Sequence, residues 1–201
     1  MKILGVDPGF ANVGLCVYDT DTKKVVKFHY IKTTKNTNPQ VTDRINRLDV
    51  ISDVVLNIMG DNDVKEVAVE FLFRSPSVTG TATTSMCLGS VLGLAKFFLL
   101  PVKSDVASAM RKKVFGRSKI PDDLMYDLLS QQPSVKEALV DLPKSQQTHC
   151  LDAYLCVLWS LGETLLAPEI PNGKQQKSKS PGNTKKSKHA GVGSKKKKAS
   201  P

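Results

Sequence analysis

The stretch MKILGVDPGFANVGLCVYD (residues 1–19) is the part of the chain from which the fold can be inferred. Its two short apolar runs, ILGV and GLCVY, flank a turn that contains glycine, which predicts two antiparallel strands over residues 2–6 and 14–19. Asp7 closes the first run. An aspartate at a strand end is often a turn former, but packing alone does not explain a carboxylate at the end of an apolar strand.

The rest of the chain extends this hairpin into an α/β fold. VVKFHYIK (residues 25–32) alternates as a third antiparallel strand, EVAVEFLF (residues 66–73) has the composition of a buried parallel strand, and LLPVK offers a short last strand. Helices are predicted over residues 41–59, 84–99, 104–115, 122–130, 135–140 and 148–166. This order predicts a mixed five-stranded sheet with helices on both faces.

The net charge of +10 lies at the C-terminal end of the chain. Ten of the 29 lysines and arginines follow Pro171, no Asp or Glu follows Glu169, and the other 19 basic residues balance 19 acidic ones. The sequence therefore predicts one domain over residues 1–167 and a disordered lysine-rich tail over residues 168–201. Such a tail can bind nucleic acid without sequence preference, or serve only for solubility or targeting.

Composition argues against a membrane or secreted protein. No apolar run approaches the roughly 20 residues of a membrane span, and the N-terminus enters a strand directly, without the pattern of a signal peptide. The cysteines lack zinc-finger spacing and lie in apolar contexts, which predicts buried thiols in a reducing compartment; they are Cys16, Cys87, Cys150 and Cys156. We expect a cytoplasmic protein of a bacterium or virus, or a nuclear one if the host is eukaryotic.

Three further polar residues interrupt apolar elements. Glu70 lies inside AVEFLF, and Asp152 lies in the apolar helix HCLDAYLCVLW, with His149 one turn before it on the same helix face. Burying an unpaired charge costs several kcal/mol, and the sequence shows no obvious buried lysine or arginine near these segments. Together with Asp7, these residues predict a site for a hard divalent cation such as Mg²⁺ or Mn²⁺. Taken singly, each has a structural explanation in a turn, a solvated face or the core.

Several motifs resemble those of the RuvC family of Holliday-junction resolvases, within the RNase H-like superfamily. GVDPGFANVG resembles the family's DPG-x₄-G opening, RINRLDVI its R-L-x-x-I helix, and VEFLF its strand with a glutamate followed three residues later by phenylalanine. LGSVLGLA resembles the LGQARG helix, RKKVFGRSK a shortened K-x-x-V-x-G-x-G-x-x-x-K segment, and HCLDAYLCVLW the D/H-x-x-D-A helix. The order and spacing agree over roughly residues 1–160.

The resemblance implies an RNase H-like nuclease domain that resolves four-way (Holliday) junctions as a homodimer, nicking two strands symmetrically by metal-dependent phosphodiester hydrolysis. It implies that two divalent cations are bound by Asp7, Glu70, His149 and Asp152, where they activate water and stabilise the leaving oxygen. His149 departs from an all-carboxylate set and is either a metal ligand or a general base.

The same resemblance implies a set of DNA contacts. Phe73 takes the position of an aromatic wedge in the junction centre, although a core phenylalanine is the alternative. Phosphate contacts are implied near the scissile bond, in a segment that could otherwise be an exposed charged helix end; they are Lys112, Lys113, Arg117 and Lys119.

Three other functions compete with this one. The D-P-G opening also resembles the phosphate hairpin of the actin and sugar-kinase superfamily, but the body is too short for that duplicated fold. A non-catalytic junction-binding protein would have no use for buried carboxylates. An RNase H-like nuclease that acts on other branched DNA or on RNA stays open, because one sequence does not display dimer geometry.

Overall fold

In the computed structural model, which describes residues 1–71 and 77–167, five strands form one mixed sheet in the order β3-β2-β1-β4-β5. The strands are β1 (Lys2–Asp7), β2 (Asn12–Asp19), β3 (Lys24–Lys32), β4 (Val64–Glu70) and β5 (Val102–Asp105). β1, β2 and β3 pair antiparallel, while β1 pairs parallel with β4, and β4 with β5. The predicted mixed five-stranded sheet is confirmed.

The strand register brings several strand ends to one edge of the sheet. Asp7 lies opposite Gly14 in the β1–β2 pair, Val6 lies opposite Val69 in the β1–β4 pair, and Glu70 lies opposite Asp105. Because β1 and β4 are parallel, their carboxyl ends meet at this edge. We call it the Asp7 edge.

Helices cover both faces of the sheet, as predicted. In the described residues they are α1 (Gln40–Asp61), α2 (Val78–Phe97), α3 (Ala107–Phe115), α4 (Asp122–Ser130), α5 (Pro133–Leu139) and α6 (Lys144–Leu161). Leu4 and Val6 of β1 pack in the cluster that includes α1 and α2, whereas Ile3 packs in the cluster of α3 to α6. This alternation follows from the two-residue period of a strand, and each fully buried aliphatic side chain contributes about 1.5–3 kcal/mol.

Helix α2 begins earlier than the sequence predicted. Residues 78–80, expected in a loop, are helical because the Ser77 hydroxyl caps the helix and accepts a hydrogen bond from the Gly80 N–H at 2.9 Å. Glycine and threonine in this first turn are weak helix formers, so the pattern placed the start at residue 84.

Other boundaries also differ from the prediction. Ser104 and Asp105 belong to β5 rather than to the following helix, because they pair with β4. α6 ends at Leu161 rather than at residue 166, since Gly162 takes a left-handed conformation (φ 75°) that terminates it. β4 ends at Glu70. The predictions for residues 72 and 73, and for the tail over residues 168–201, fall outside the described residues.

Two sequence expectations concern buried and apolar segments. All four cysteines are free and buried, as predicted. In the described residues α2 is long and apolar enough to span a membrane, with a window of mean hydropathy 1.2, of which 22% is buried. The expectation that no segment approaches a span is therefore corrected in length and composition; core helices of soluble proteins pass the same test.

Candidate active site at the Asp7 edge

Helix α6 crosses the sheet in close contact with β1 and β2. A Cβ atom on Gly5 would lie 2.1 Å from the Ala153 carbonyl oxygen, and one on Gly14 would lie 2.0 Å from that of His149. Both strands therefore need glycine at these positions so that the α6 backbone can approach. Gly14 lies within β2, as predicted, and its missing side chain makes room for His149.

This close approach brings His149 to Asp7. The His149 Nδ1 atom hydrogen bonds with Asp7 Oδ2 at 2.8 Å, and the imidazole stacks on Tyr30 of β3 with ring centroids 5.9 Å apart. The hydrogen bond to Asp7 raises the pKa of His149 above its usual value, and burial opposes that rise. His149 is thus held at one nitrogen by Asp7, and Nε2 has no hydrogen-bond partner in the described part of the chain.

Asp152 lies one turn further along α6 and contacts α4. The Tyr126 hydroxyl donates a hydrogen bond to Asp152 Oδ2 at 3.0 Å. Burial, and after it the charge of Asp7, raise the pKa of Asp152 to about 7; the charge of Glu70 acts in the same direction, and the Tyr126 hydrogen bond opposes the rise. The sequence did not single out Tyr126, because α4 carries no pattern that points toward α6.

Glu70 is the third carboxylate of this centre. Burial, and after it the charge of Asp7, raise its pKa to about 7. The structure therefore brings together the four residues that the sequence grouped from distant segments. The charge of Asp7 raises the pKa of the other three residues, and we call Asp7, Glu70, His149 and Asp152 the acidic centre.

Arg111 is a cation that the sequence expectation missed. It lies on α3, and its charge lowers the pKa of both Glu70 and Asp152. Arg111 pairs with Asp122 at 3.2 Å, and its buried Nε finds no hydrogen-bond partner among the described residues. The sequence shows no obvious buried lysine or arginine near these segments, and the partly exposed Arg111 acts on the carboxylates from a distant segment. Its position at the start of RKKVFG, next to the lysines that were selected, was the available signal.

The donor set of the acidic centre fits a hard divalent cation, because carboxylate oxygens and one imidazole nitrogen are its ordinary ligands. In the residues that the structure describes, no group of three or more such side chains is gathered as a ready-made cluster. Asp7 is instead engaged by His149 and Asp152 by Tyr126. Buried carboxylates that repel each other are stabilised by accepting hydrogen bonds, by protonation or by a bound cation.

The predicted DNA contacts on α3 and after it fall into two groups. Lys113 lies over the Trp159 ring at 5.7 Å, and the Arg117 guanidinium donates to the Ala167 carbonyl at 3.2 Å, so both have local structural contacts. Lys112 and Lys119 are exposed. Phe73, the proposed wedge, lies outside the described residues.

A known protein-family model matches a large part of the chain. The model of the family described as "Crossover junction endodeoxyribonuclease RuvC" matches residues 3–127, more than half of the chain. The chain belongs to the RuvC family. The matched residues include Asp7 and Glu70 but stop before α6, which carries His149 and Asp152.

Curated members of the RuvC family align over more of the chain. Crossover junction endodeoxyribonuclease RuvC of Methylobacillus flagellatus is 23% identical over 159 residues, covering 78% of this chain and 84% of that protein. The same enzyme of Acidovorax sp. is 28% identical over 156 residues, covering 76% and 80%. These relatives are bacterial nucleases, and the family is one of metal-dependent nucleases.

A solved RuvC structure shares the fold. The structure described as T. thermophilus RuvC in complex with Holliday junction substrate superimposes with a TM-score of 0.63 at 20% identity. The superposition covers 80% of this chain and 94% of that one. At this identity the likeness concerns the fold, and it confirms the predicted RNase H-like architecture.

Proposed function

We propose that this protein is a structure-selective DNA endonuclease that resolves four-way junctions by metal-dependent phosphodiester hydrolysis. The observation that carries the proposal is the acidic centre, where three carboxylates and an imidazole meet at one sheet edge of a RuvC-family fold. Burial and the charge of Asp7 raise the pKa of two of those carboxylates, Glu70 and Asp152, to about 7, and the charge of Arg111 offsets that rise only in part.

Asp7, Glu70, His149 and Asp152 are the residues we propose as metal ligands and catalytic groups. Bound divalent cations, two Mg²⁺ ions with Mn²⁺ as a substitute, would supply Lewis-acid stabilisation of charge on the phosphate and its leaving oxygen. Asp7 is hydrogen bonded to His149, and its charge raises the pKa of Glu70, His149 and Asp152 alike.

His149 has two candidate roles that an experiment separates. As a metal ligand, its replacement by alanine would weaken Mn²⁺ binding. As a general base, it would accept the proton of the attacking water at Nε2, with Nδ1 held by Asp7, and His149→Ala would leave Mn²⁺ affinity unchanged while flattening the pH dependence of cleavage. Isothermal titration with Mn²⁺ and a pH–rate profile on the same variant distinguish the two.

DNA binding is proposed along α3 and at the wedge position. Four basic residues would contact phosphates near the scissile bond: Lys112, Lys113, Arg117 and Lys119. Lys113 and Arg117 would do so in addition to their local contacts. Phe73 would stack in the junction centre. Arg111 joins this set because its charge reaches Glu70 and Asp152, where a scissile phosphate would lie. Phe73→Ala is expected to impair junction cleavage while leaving linear-duplex binding intact.

A homodimer is proposed because a two-fold junction needs two active sites. Apolar residues on α1 and α2 support it: Val41 is 69% exposed, Ile45 51% and Val78 90%. Ile45→Glu should shift the protein toward monomer in size-exclusion chromatography with light scattering. Val140→Glu, a comparably exposed valine at the end of α5, serves as the control and should leave the mass unchanged.

We propose residues 1–167 as the nuclease domain and residues 168–201 as a lysine-rich tail that adds non-specific affinity. Deleting the tail after Ala167 should lower DNA affinity and flatten its salt dependence without abolishing cleavage. Unchanged binding and salt slope would contradict a role of the tail in binding. A cytoplasmic location, as expected for relatives that are bacterial nucleases, is part of the proposal.

A substrate panel tests the proposed function against its main alternative. A mobile four-way junction, a fork, a linear duplex and an RNA–DNA hybrid are compared with and without Mg²⁺. We expect cleavage of the junction alone, in the presence of metal, and junction binding without cleavage by Asp7→Asn. Equal or preferred cleavage of a fork or of RNA would favour the broader RNase H-like nuclease, and binding without any cleavage would favour a non-catalytic protein.

A further inference from the structure

A cleft of about 470 Å³ opens beside the acidic centre, on the His149 side. Its walls come from the β1–β2 turn, the chain after β3, the first half of α1 and the first turns of α2. His149 lines it, so the cleft and the acidic centre share a residue. The volume lies within the range of about 300–1,000 Å³ that is usual for ligand pockets and is sufficient for one nucleotide.

Two of the charged residues in this cleft hold its wall together. Arg47 pairs with Asp43 at 3.5 Å, donates to the Thr33 hydroxyl at 2.9 Å and lies over the Phe10 ring at 4.4 Å. Asp43 also accepts a hydrogen bond from the Asn36 N–H at 2.9 Å. These contacts fix the β1–β2 turn and the chain after β3 against α1, and they use the charges of both residues.

The remaining two cations, Lys35 and Arg44, have no ion-pair or hydrogen-bond partner in residues 1–71 and 77–167. Lys35 is exposed and Arg44 is half-buried. Thr79 and Thr84 of α2 contribute hydroxyls to the same cleft, likewise without a hydrogen bond inside the described chain. Unpaired cations beside free hydroxyls form a suitable environment for a phosphate, which accepts from both kinds of donor.

The cleft is lined by α1 and α2, which pack on the sheet face opposite to α3. On α6, His149 lines the cleft. Asp152, one turn further along the helix, accepts a hydrogen bond from Tyr126 of α4, and the charge of Arg111 lowers its pKa. Cations thus stand on both sides of the carboxylates. A strand whose scissile phosphate lies at the acidic centre continues on either side, so each flank meets a neighbouring phosphate.

We propose that this cleft binds one nucleotide of the substrate strand adjacent to the scissile phosphate, with Lys35 and Arg44 on its backbone phosphate. The proposal rests on the proposed nuclease function and adds a subsite to it. Lys35 and Arg44 position the strand, and Asp43 with Arg47 maintains the cleft. The contacts are to the backbone, so the subsite contributes affinity and register rather than base preference.

The test uses Asp7→Asn as the background, so that junction binding is measured without cleavage. Lys35→Gln and Arg44→Gln are compared, singly and together, with Lys24→Gln and Lys65→Gln. These controls remove the same charge at the sheet edge opposite Asp7, where β3 and β4 begin. Each cleft substitution should lower the slope of log affinity against log salt by about 0.9, the value for one phosphate contact. The controls should change it by less.

Site-specific neutral phosphates locate the contact. Junctions that carry a methylphosphonate at one position near the cut are tested in turn, and one position next to the scissile phosphate should weaken binding of the Asp7→Asn protein. In the Lys35→Gln/Arg44→Gln double variant that penalty should disappear, as a double-mutant cycle requires for a direct contact. Thermal unfolding should be unchanged, because neither side chain has a partner to lose.

The outcomes separate this proposal from the nuclease function. If the wild-type chain cuts the junction but the cleft variants behave like the controls, or keep the methylphosphonate penalty, the subsite is wrong and the nuclease function stands. If the wild-type chain neither binds nor cuts branched DNA, the nuclease function fails, and the subsite fails with it.

Discussion

Carboxylates gather at both ends of the sheet, and the two groups behave in opposite ways. At the end where β1 begins, Asp21 and Asp63 are each 79% exposed and pair with the N-terminal amine and with Lys65. Pairing with Lys65 lowers the pKa of Asp63. At the Asp7 edge, burial raises the pKa of Glu70 and of Asp152 to about 7.

The difference shows that a count of acidic residues does not identify a site. Exposed carboxylates with a lysine or an amine nearby are stable as anions and need no further partner. Buried carboxylates that face one another are stable as anions only when a cation arrives. The functional end of the sheet is therefore the one where the charge is left unbalanced, and the following predictions test that contrast.

The largest expected effect is on catalysis. Asp7→Asn, Glu70→Gln and Asp152→Asn should each lower the rate of junction cleavage by at least about a thousandfold, because losing a metal ligand removes several kcal/mol of transition-state stabilisation. Asp21→Asn and Asp63→Asn, at the opposite end, should cut at the wild-type rate. A gel assay with a labelled junction measures both sets. Comparable losses of cleavage rate in both sets of variants would contradict a functional difference between the two ends of the sheet.

The second prediction concerns the close approach that builds the buried end. Gly14→Ala places a methyl group 2.0 Å from the His149 carbonyl oxygen, so α6 must move and the free energy of unfolding should fall by about 1–3 kcal/mol or more. Cleavage should fall with it, since His149 shifts from Asp7. Gly89→Ala in α2, where a new Cβ meets nothing within 4 Å, should instead stabilise the protein by about 0.5–1 kcal/mol. Urea denaturation compares the two.

The third prediction concerns how the melting temperature of metal-free protein depends on pH, which should differ between the carboxylates at the two ends of the sheet. Folded-state pKa values of about 7 for Glu70 and Asp152 exceed their ordinary values of 4.5 and 3.8, so their contribution to stability is present at low pH and is lost as pH rises toward 7. The melting temperature in EDTA should therefore fall between about pH 5 and 8. The raised pKa of His149 acts in the same direction.

The Glu70→Gln/Asp152→Asn variant supplies the control for this pH dependence, and its melting temperature should vary less over the same range. Asp63, whose pKa is lowered, contributes stability that is lost only as pH falls through its folded value, so Asp63→Asn should change the acid limb alone. A melting temperature that rises from pH 5 to 8 in metal-free wild type would contradict the uncompensated burial of these groups.

The smallest expected effect comes from Tyr126. Tyr126→Phe removes the hydrogen bond to Asp152, so the pKa of Asp152 should rise and the acidic limb of the pH–rate profile should move to higher pH. We expect a loss of roughly tenfold or less near neutral pH, in line with one hydrogen bond to a charged group. Tyr154→Phe removes a hydroxyl from the core of the same face and should leave the profile in place.

Much of the fold was accessible from the sequence because β1, β2, β4 and α6 have strong and regular apolar patterns. Element boundaries that depend on a single hydrogen bond or on strand pairing were not accessible from the sequence. The early start of α2 depends on the Ser77 cap, and the assignment of Asp105 to β5 depends on pairing with β4, which no local pattern of four residues encodes.

Some residues of the acidic centre and its surroundings could likewise be identified from the sequence, and others could not. Asp7, Glu70, His149 and Asp152 could be grouped because each breaks an apolar pattern, and the structure brings them together. Arg111 and Tyr126 do not interrupt an apolar pattern, because they lie on short helices of mixed polarity. They reach the acidic centre only through tertiary packing. The role of Gly14 was likewise hidden, since it follows from where α6 crosses β2.

The central claim, that the buried carboxylates are a cation site, is tested most directly by calorimetric titration of metal-free protein with Mn²⁺ near pH 6.5, in two buffers of different ionisation enthalpy. We predict saturable binding with proton release in the wild type and in Asp63→Asn, and loss of both in Asp7→Asn and Asp152→Asn. Binding of equal affinity in all four proteins, or no binding in any of them, would contradict it.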